Sequence, residues 1–170
     1  MPLQVVVMGV TSTGKTAVGT ALADQLGWPF VEGDELHPRA NVAKMEAGTP
    51  LTDDDRAPWL ETLNERARGA DAAGTSAIIT CSALKRRYRD TLRRGVDAMF
   101  FLQLHGDGEV LEGRMAGREG HFMPPSLLRS QLDTLEPLAE DEDGTVIDVS
   151  GSLDEVVAHA RAVVTARLRN

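Results

Sequence analysis

The chain has 170 residues, a length that fits one domain with a core large enough to fold alone. Its net charge of -8 disfavours broad nucleic-acid binding, because a polyanion needs a basic face. A single cysteine, Cys81, excludes an intrachain disulfide and makes a reducing cytoplasmic compartment the simplest expectation. No apolar run approaches bilayer-spanning length, so no membrane contact is expected, and the apolar opening, whose first basic residue is Lys15, lacks the charged start of a signal peptide.

Taken in chain order, Leu3 to Met8 is a short Val-rich run ending at Gly9, which suits a buried parallel strand. Lys15 to Leu26 carries apolar residues at helical spacing and stops at Gly27. Phe30 to Glu32 reads as a second strand and Pro38 to Glu46 as a helix. Thr52, followed by three aspartates, caps another helix whose inner face holds Trp59, Leu60 and Leu63 and whose exit lies between Gly69 and Gly74. Ala77 to Thr80 is the third strand, Leu84 to Arg94 a basic helix, Ala98 to Leu104 the fourth strand and Gly108 to Ala116 a helix. Residues 117–124 read as a loop, Pro125 to Glu136 as a helix and Thr145 to Val149 as the fifth strand. Ser152 and Glu155 predict a capping box for the last helix. Strands that alternate with helices predict an α/β fold, a parallel five-stranded sheet covered on both faces, with ligands beyond the carboxyl ends of the strands.

Gly9, Val10, Thr11, Ser12, Thr13, Gly14, Lys15 and Thr16 match the phosphate-loop pattern G-x-x-x-x-G-K-[ST], between an apolar strand and an amphipathic helix. The glycines let successive N–H groups face one anion, and the helix N-terminus adds partial positive charge. Lys15 is expected to reach the β- and γ-phosphates of ATP, and the Thr16 hydroxyl to ligate Mg²⁺. The third strand ends Ile78-Ile79-Thr80-Cys81-Ser82, without the Mg²⁺-associated aspartate of switch and motor NTPases, and the guanine-reading N-K-x-D is absent. The nearest carboxylates are Glu32 and Asp34, past the second strand, where a small-metabolite kinase needs an acid beside its acceptor hydroxyl.

From Glu32 through Pro38 the sequence resembles the gluconokinase family. The likeness continues from Asn41 to Leu60, through Cys81-Ser82-Ala83-Leu84-Lys85-Arg86-Arg87-Tyr88-Arg89-Asp90, His121 to Pro124, Ser130-Gln131 and Thr134-Leu135-Glu136, nearly the whole chain. The resemblance implies transfer of the γ-phosphate of ATP to the 6-hydroxyl of D-gluconate, in sugar-acid catabolism feeding the pentose phosphate or a related pathway. It implies a P-loop NTPase fold like that of nucleoside monophosphate kinases and a homodimer. The chain would form one domain, 1–170, with a substrate-binding helical segment at about 34–75 and a lid at about 114–125. A kinase for another polyol acid such as shikimate, and a nucleotide-dependent switch with little catalysis, are the competing readings.

Asp34 is expected to act as general base or to orient the acceptor hydroxyl, since phosphoryl transfer needs an aligned oxygen more than a strong base. Glu32 would hold a Mg²⁺-bound water or simply end its strand. His37 would bond a sugar hydroxyl or fix the turn before Pro38. Arg56 stands in a first helical turn, against the dipole, which suggests an anionic substrate as its use. Lys85 and Arg89 are one turn apart beside the Leu84, Tyr88 and Leu92 stripe and are expected to turn inward to a carboxylate or phosphate. By resemblance Arg114 would stack on adenine, Arg118 would contact phosphates from the lid, and the adenine would lie at Val149 to Ser152. Gln131 is expected as a substrate contact, and His121 as a lid residue in reach of substrate.

Overall fold

The computed structural model describes residues 1–116 and 125–170. Five parallel strands form one sheet: β1 (Gln4–Met8), β2 (Phe30–Glu32), β3 (Ala77–Thr80), β4 (Met99–His105) and β5 (Gly144–Asp148), in the order β2-β3-β1-β4-β5. The central strand β1 is buried on both sides, which explains why it reads as an unbroken apolar run rather than as an alternation. Its side chains still alternate between two cores.

Val6 and Met8 join Ile79 and Phe101 on one face, under Trp59 and Leu63 of α3 (Asp53–Ala72) and Tyr88 and Leu92 of α4 (Arg86–Arg93). Val5 and Val7 join Ile78, Phe100 and Leu102 on the other face, under Val18 and Leu22 of α1 (Lys15–Leu26) and Val157, Ala160 and Val164 of α7 (Leu153–Arg169). The remaining helices are α2 (Arg39–Glu46), α5 (Gly108–Ala116) and α6 (Pro125–Thr134), and a 3-10 turn spans Gly33–Leu36.

Most predicted boundaries hold within one or two residues, with informative exceptions. The basic helix starts at Arg86, two residues later than expected. Ala83 has φ 45, Lys85 is extended at φ -109, and the carbonyls before the helix are bound by donors other than the helix backbone: Glu136 N–H to Leu84 O at 2.7 Å and the Arg89 side-chain Nη1 to Ala83 O at 2.9 Å. The reciprocal capping box sits on α3, where Thr52 and Asp55 exchange backbone and side-chain bonds. At α7 Ser152 accepts from Glu155 N–H at 3.2 Å, half of the predicted pair. Among the described residues no helix is long and apolar enough to cross a membrane.

Candidate active site

The turn after β1 carries the phosphate loop to the carboxyl edge of the sheet. Gly9 has φ +144, and a Cβ there would stand 2.7 Å from the Leu104 carbonyl oxygen, so only glycine lets the loop cross β4. Ser12 and Gly14 take positive φ values of 68 and 90, and Thr13 Oγ1 donates to Val10 O at 2.8 Å, closing the curl. Lys15 Nζ lies over the loop, donating to Gly9 O and Val10 O at 3.0 Å each. Thr11, Ser12, Gly14, Lys15 and Thr16 line a cleft of about 740 Å³.

The far wall of that cleft comes from the segment after β2. Asp34, His37 and Arg56 line it together with Trp59 and Ser82, so the expected acid, imidazole and guanidinium face the phosphate loop across one space. Trp59, which sequence reasoning placed only on the inner face of its helix, stacks on His37 with ring centroids 3.9 Å apart. Its Nε1–H donates to Gly33 O at 2.8 Å. Asn41 Nδ2 donates to Asp55 O at 2.9 Å and lies 3.2 Å from His37 Nδ1. An amide nitrogen can only donate, so Nδ1 accepts and the His37 proton resides on Nε2. Burial, with the nearby Arg56 charge, lowers the His37 pKa from 6.5 to about 4, so the ring is neutral near pH 7.

Arg56 donates to Leu51 O at 2.7 Å and to Tyr88 Oη at 3.2 Å. The neighbouring acids are engaged elsewhere: Asp55 with Lys44 at 2.8 Å, Asp53 with Lys85 at 3.4 Å and with Arg87. Tyr88 Oη donates to Asp53, a bond that holds the carboxyl below its usual range, while burial first and that bond second push the phenol up to about 12. A chain from Asp53 through Tyr88 thus ends on the guanidinium that faces the cleft.

Two expectations for the basic helix are corrected. Arg89 does not face the cleft. It is fully buried and gives Nε to Glu142 Oε1 at 2.7 Å and Nη2 to Glu142 Oε2 at 2.9 Å. Burial pushes the Glu142 carboxyl up, but the Arg89 bonds and the Ala139 N–H outweigh it and hold the carboxylate in the charged form. Lys85 is the N-cap of α4 rather than a member of it, and it lies on Asp53 outside the cleft lining.

Gln131 lines the cleft, but its Oε1 accepts from Thr11 N–H at 2.7 Å, so α6 grips the phosphate loop itself. Arg114 donates to Val149 O and lines a second hollow of about 370 Å³ with Ser12, Thr13, Gly14 and Gly151. That hollow joins the phosphate loop to the turn where the adenine was expected. Arg118 and His121 lie outside the described residues. Cys81 is fully buried at the end of β3, and desolvation pushes its thiol up to about 12.

Glu32 and Thr16, the expected metal residues, touch: Thr16 Oγ1 donates to Glu32 Oε2 at 2.6 Å. No cluster of three or more metal-binding His, Cys, Asp or Glu side chains occurs among the described residues. Mg²⁺ at a phosphate loop needs no such cage, because it takes a hydroxyl, phosphate oxygens and waters, and the donor set here fits that chemistry.

An AAA domain family model matches residues 5–138. A gluconokinase of Gluconobacter oxydans (strain 621H) is 51% identical, the match covering 95% of this chain and 93% of that one. The thermoresistant gluconokinase of Escherichia coli (strain K12) is 45% identical over 94% of this chain and 91% of its own. The crystal structure of a gluconokinase from Sinorhizobium meliloti 1021 superposes with a TM-score of 0.89 at 48% identity, covering 98% of this chain and 93% of that one.

Proposed function

With the chain established as a member of the gluconokinase family, which phosphorylates gluconate with ATP, we propose how its own residues divide that work. The observation that carries the assignment is the shared cleft, in which Lys15 and Thr16 face Asp34, His37 and Arg56. The product is 6-phospho-D-gluconate, with ADP released.

The N–H groups from Gly9 to Thr16 cradle the triphosphate, and Lys15 exchanges its bonds to Gly9 O and Val10 O for phosphate oxygens. Arg114, beside Val149, covers the adenine. Arg56 holds the gluconate carboxylate, and neutral His37, stacked on Trp59, donates Nε2–H to a sugar hydroxyl. Asp34 aligns the 6-hydroxyl for in-line attack and accepts its proton as the bond to phosphorus forms. By the family resemblance, Arg118 and His121 of the lid segment, about 114–125, contribute a phosphate contact and a substrate contact, while residues 34–75 hold the acceptor. Mg²⁺, held by Thr16 with Glu32 behind it, would neutralise charge on the β- and γ-phosphates. Lys85 and Gln131 keep supporting parts in this reading, the first on Asp53 and the second on the phosphate loop.

A cytoplasmic homodimer completes the reading, supported by the family resemblance and, for the compartment, by the single buried thiol. Light scattering on the purified chain tests the dimer. A coupled assay of ATP consumption across a panel of sugar acids tests the activity. Turnover that needs gluconate, and that other sugar acids do not match, is the expected result. Consumption of ATP without any acid would overturn it.

A further inference from the structure

The third strand of this sheet ends without a carboxylate, and the structure shows what stands in its place. Glu32 on β2 pairs in register with Thr80 on β3. Thr80 is 1% exposed, and its Oγ1 donates to Glu32 Oε1 at 2.6 Å while accepting from Gly33 N–H at 3.0 Å. Both directions of the Thr80 hydroxyl are therefore used within two residues of one turn.

The packing around this contact is tight on both sides. A Cβ on Gly33 would stand 1.9 Å from the Thr80 carbonyl oxygen, so the turn after β2 lies directly on the end of β3. A Cβ on Gly19 of α1 would stand 2.9 Å from Thr80 Cγ2, so α1 closes from the other side. Gly33 thus packs on the Thr80 backbone and donates to its hydroxyl, while Gly19 packs on its methyl group.

The other oxygen of Glu32 accepts the Thr16 hydroxyl proton at 2.6 Å. A hydroxyl has one proton and two lone pairs, and an ionised carboxylate can only accept. Spending the proton on Glu32 leaves the Thr16 lone pairs for a cation.

We propose that Thr80 is a positioning residue for the metal-dependent step: it seats the Glu32 carboxylate where β3 supplies none, and Glu32 in turn sets the Thr16 hydroxyl toward the cation. This rests on the reading that Thr16 and Glu32 form the metal side of the site. Thr80 is not among the residues that line the cleft; its hydroxyl acts through Glu32.

The test uses the full-length enzyme with ADP and Mn²⁺, following free Mn²⁺ by electron paramagnetic resonance, alongside ADP binding in EDTA. Thr80→Val and Glu32→Gln are each expected to weaken Mn²⁺ binding to the enzyme–ADP complex by about tenfold or more, as loss of a partner behind a metal ligand does. ADP affinity in EDTA should stay near wild type, and Thr80→Ser, which keeps the hydroxyl, should restore Mn²⁺ binding. Weakened Mn²⁺ binding in Glu32→Gln but not in Thr80→Val would overturn the role of Thr80 and leave the metal reading standing. Unchanged Mn²⁺ binding in both would overturn the two together. A loss of ADP affinity in EDTA matching the loss of Mn²⁺ affinity would make Thr80 merely structural and also overturn the proposal. If Thr80→Val does not fold, Thr80→Ala removes the same hydroxyl with less bulk against α1, and the same outcomes decide.

Discussion

The imidazole of His37 and the indole of Trp59 lie face to face, with centroids 3.9 Å apart and planes 17° from parallel. Trp59 is anchored from below by Gly33 O, so the stack fixes the height of the imidazole in the cleft. Burial under this stack, and Arg56 nearby, set the proton affinity of His37.

The His37 pKa is lowered from 6.5 to about 4, so the folded state binds this proton less readily than the unfolded chain. The stability it contributes is present above 6.5 and is lost as pH falls toward 4. NMR titration should place the His37 midpoint well below that of an exposed histidine. Arg56→Ala should move the midpoint upward, since it removes a like charge while leaving the burial.

Asp34→Asn removes the proposed proton acceptor while keeping the size of the side chain. We expect kcat to fall by about a hundredfold or more, with thermal stability little changed. Steady-state kinetics with gluconate, beside a melting curve, checks both halves. A kcat near wild type would take Asp34 out of the chemistry.

Tyr88→Phe cuts the path from Asp53 to Arg56 without touching the cleft wall itself. Arg56 keeps its bond to Leu51 O but loses one of its two fixed points. The expected result is a gluconate KM raised by roughly fivefold, about one hydrogen bond, with ATP KM unchanged and kcat changed less. An equal rise in both KM values would point to a general loosening.

Arg89→Met leaves the buried Glu142 carboxylate without its hydrogen-bonded guanidinium and with only Arg86, 3.8 Å away, as an ion partner, and unfolding in urea should show a loss of about 3 kcal/mol. The double variant Arg89→Met with Glu142→Leu should recover much of it, because no uncompensated charge remains. Gluconate KM for the folded fraction should be unaffected in both.

The fold was legible in the sequence because its signals are local. Gly9 to Thr16, the apolar strands and the glycine stops each act over a few residues, and the Lys15–Leu26 helix and the Phe30–Glu32 strand were bounded correctly from them. Asp34, His37 and Arg56 stood out in the sequence as candidates, and the structure brings them to one cleft. The basic helix was not. Lys85 and Arg89 sit one turn apart, and spacing alone cannot tell a guanidinium aimed at a ligand from one aimed at a carboxylate 53 residues later. Gln131 lines the cleft as expected, but its bond to Thr11, 120 residues away, gave no signal in the sequence. Trp59 looked like core and is both core and cleft wall. Thr80 gave no signal, because its meaning depends on the register between two strands.

Cys81 lies at the root of the loop that brings Ser82 to the cleft, with no exposed surface and a thiol held protonated. Such a sulfur is inert toward alkylating reagents, because only the thiolate attacks. The folded enzyme should therefore tolerate iodoacetamide, and with one cysteine in the chain any labelling that does occur reports a single event, the opening of the structure around the carboxyl end of β3. The labelling rate followed by mass spectrometry then becomes a clock for that opening, and bound ATP and gluconate should slow it. A feature that contributes nothing to phosphoryl transfer thereby gives the molecule a built-in probe of its own breathing.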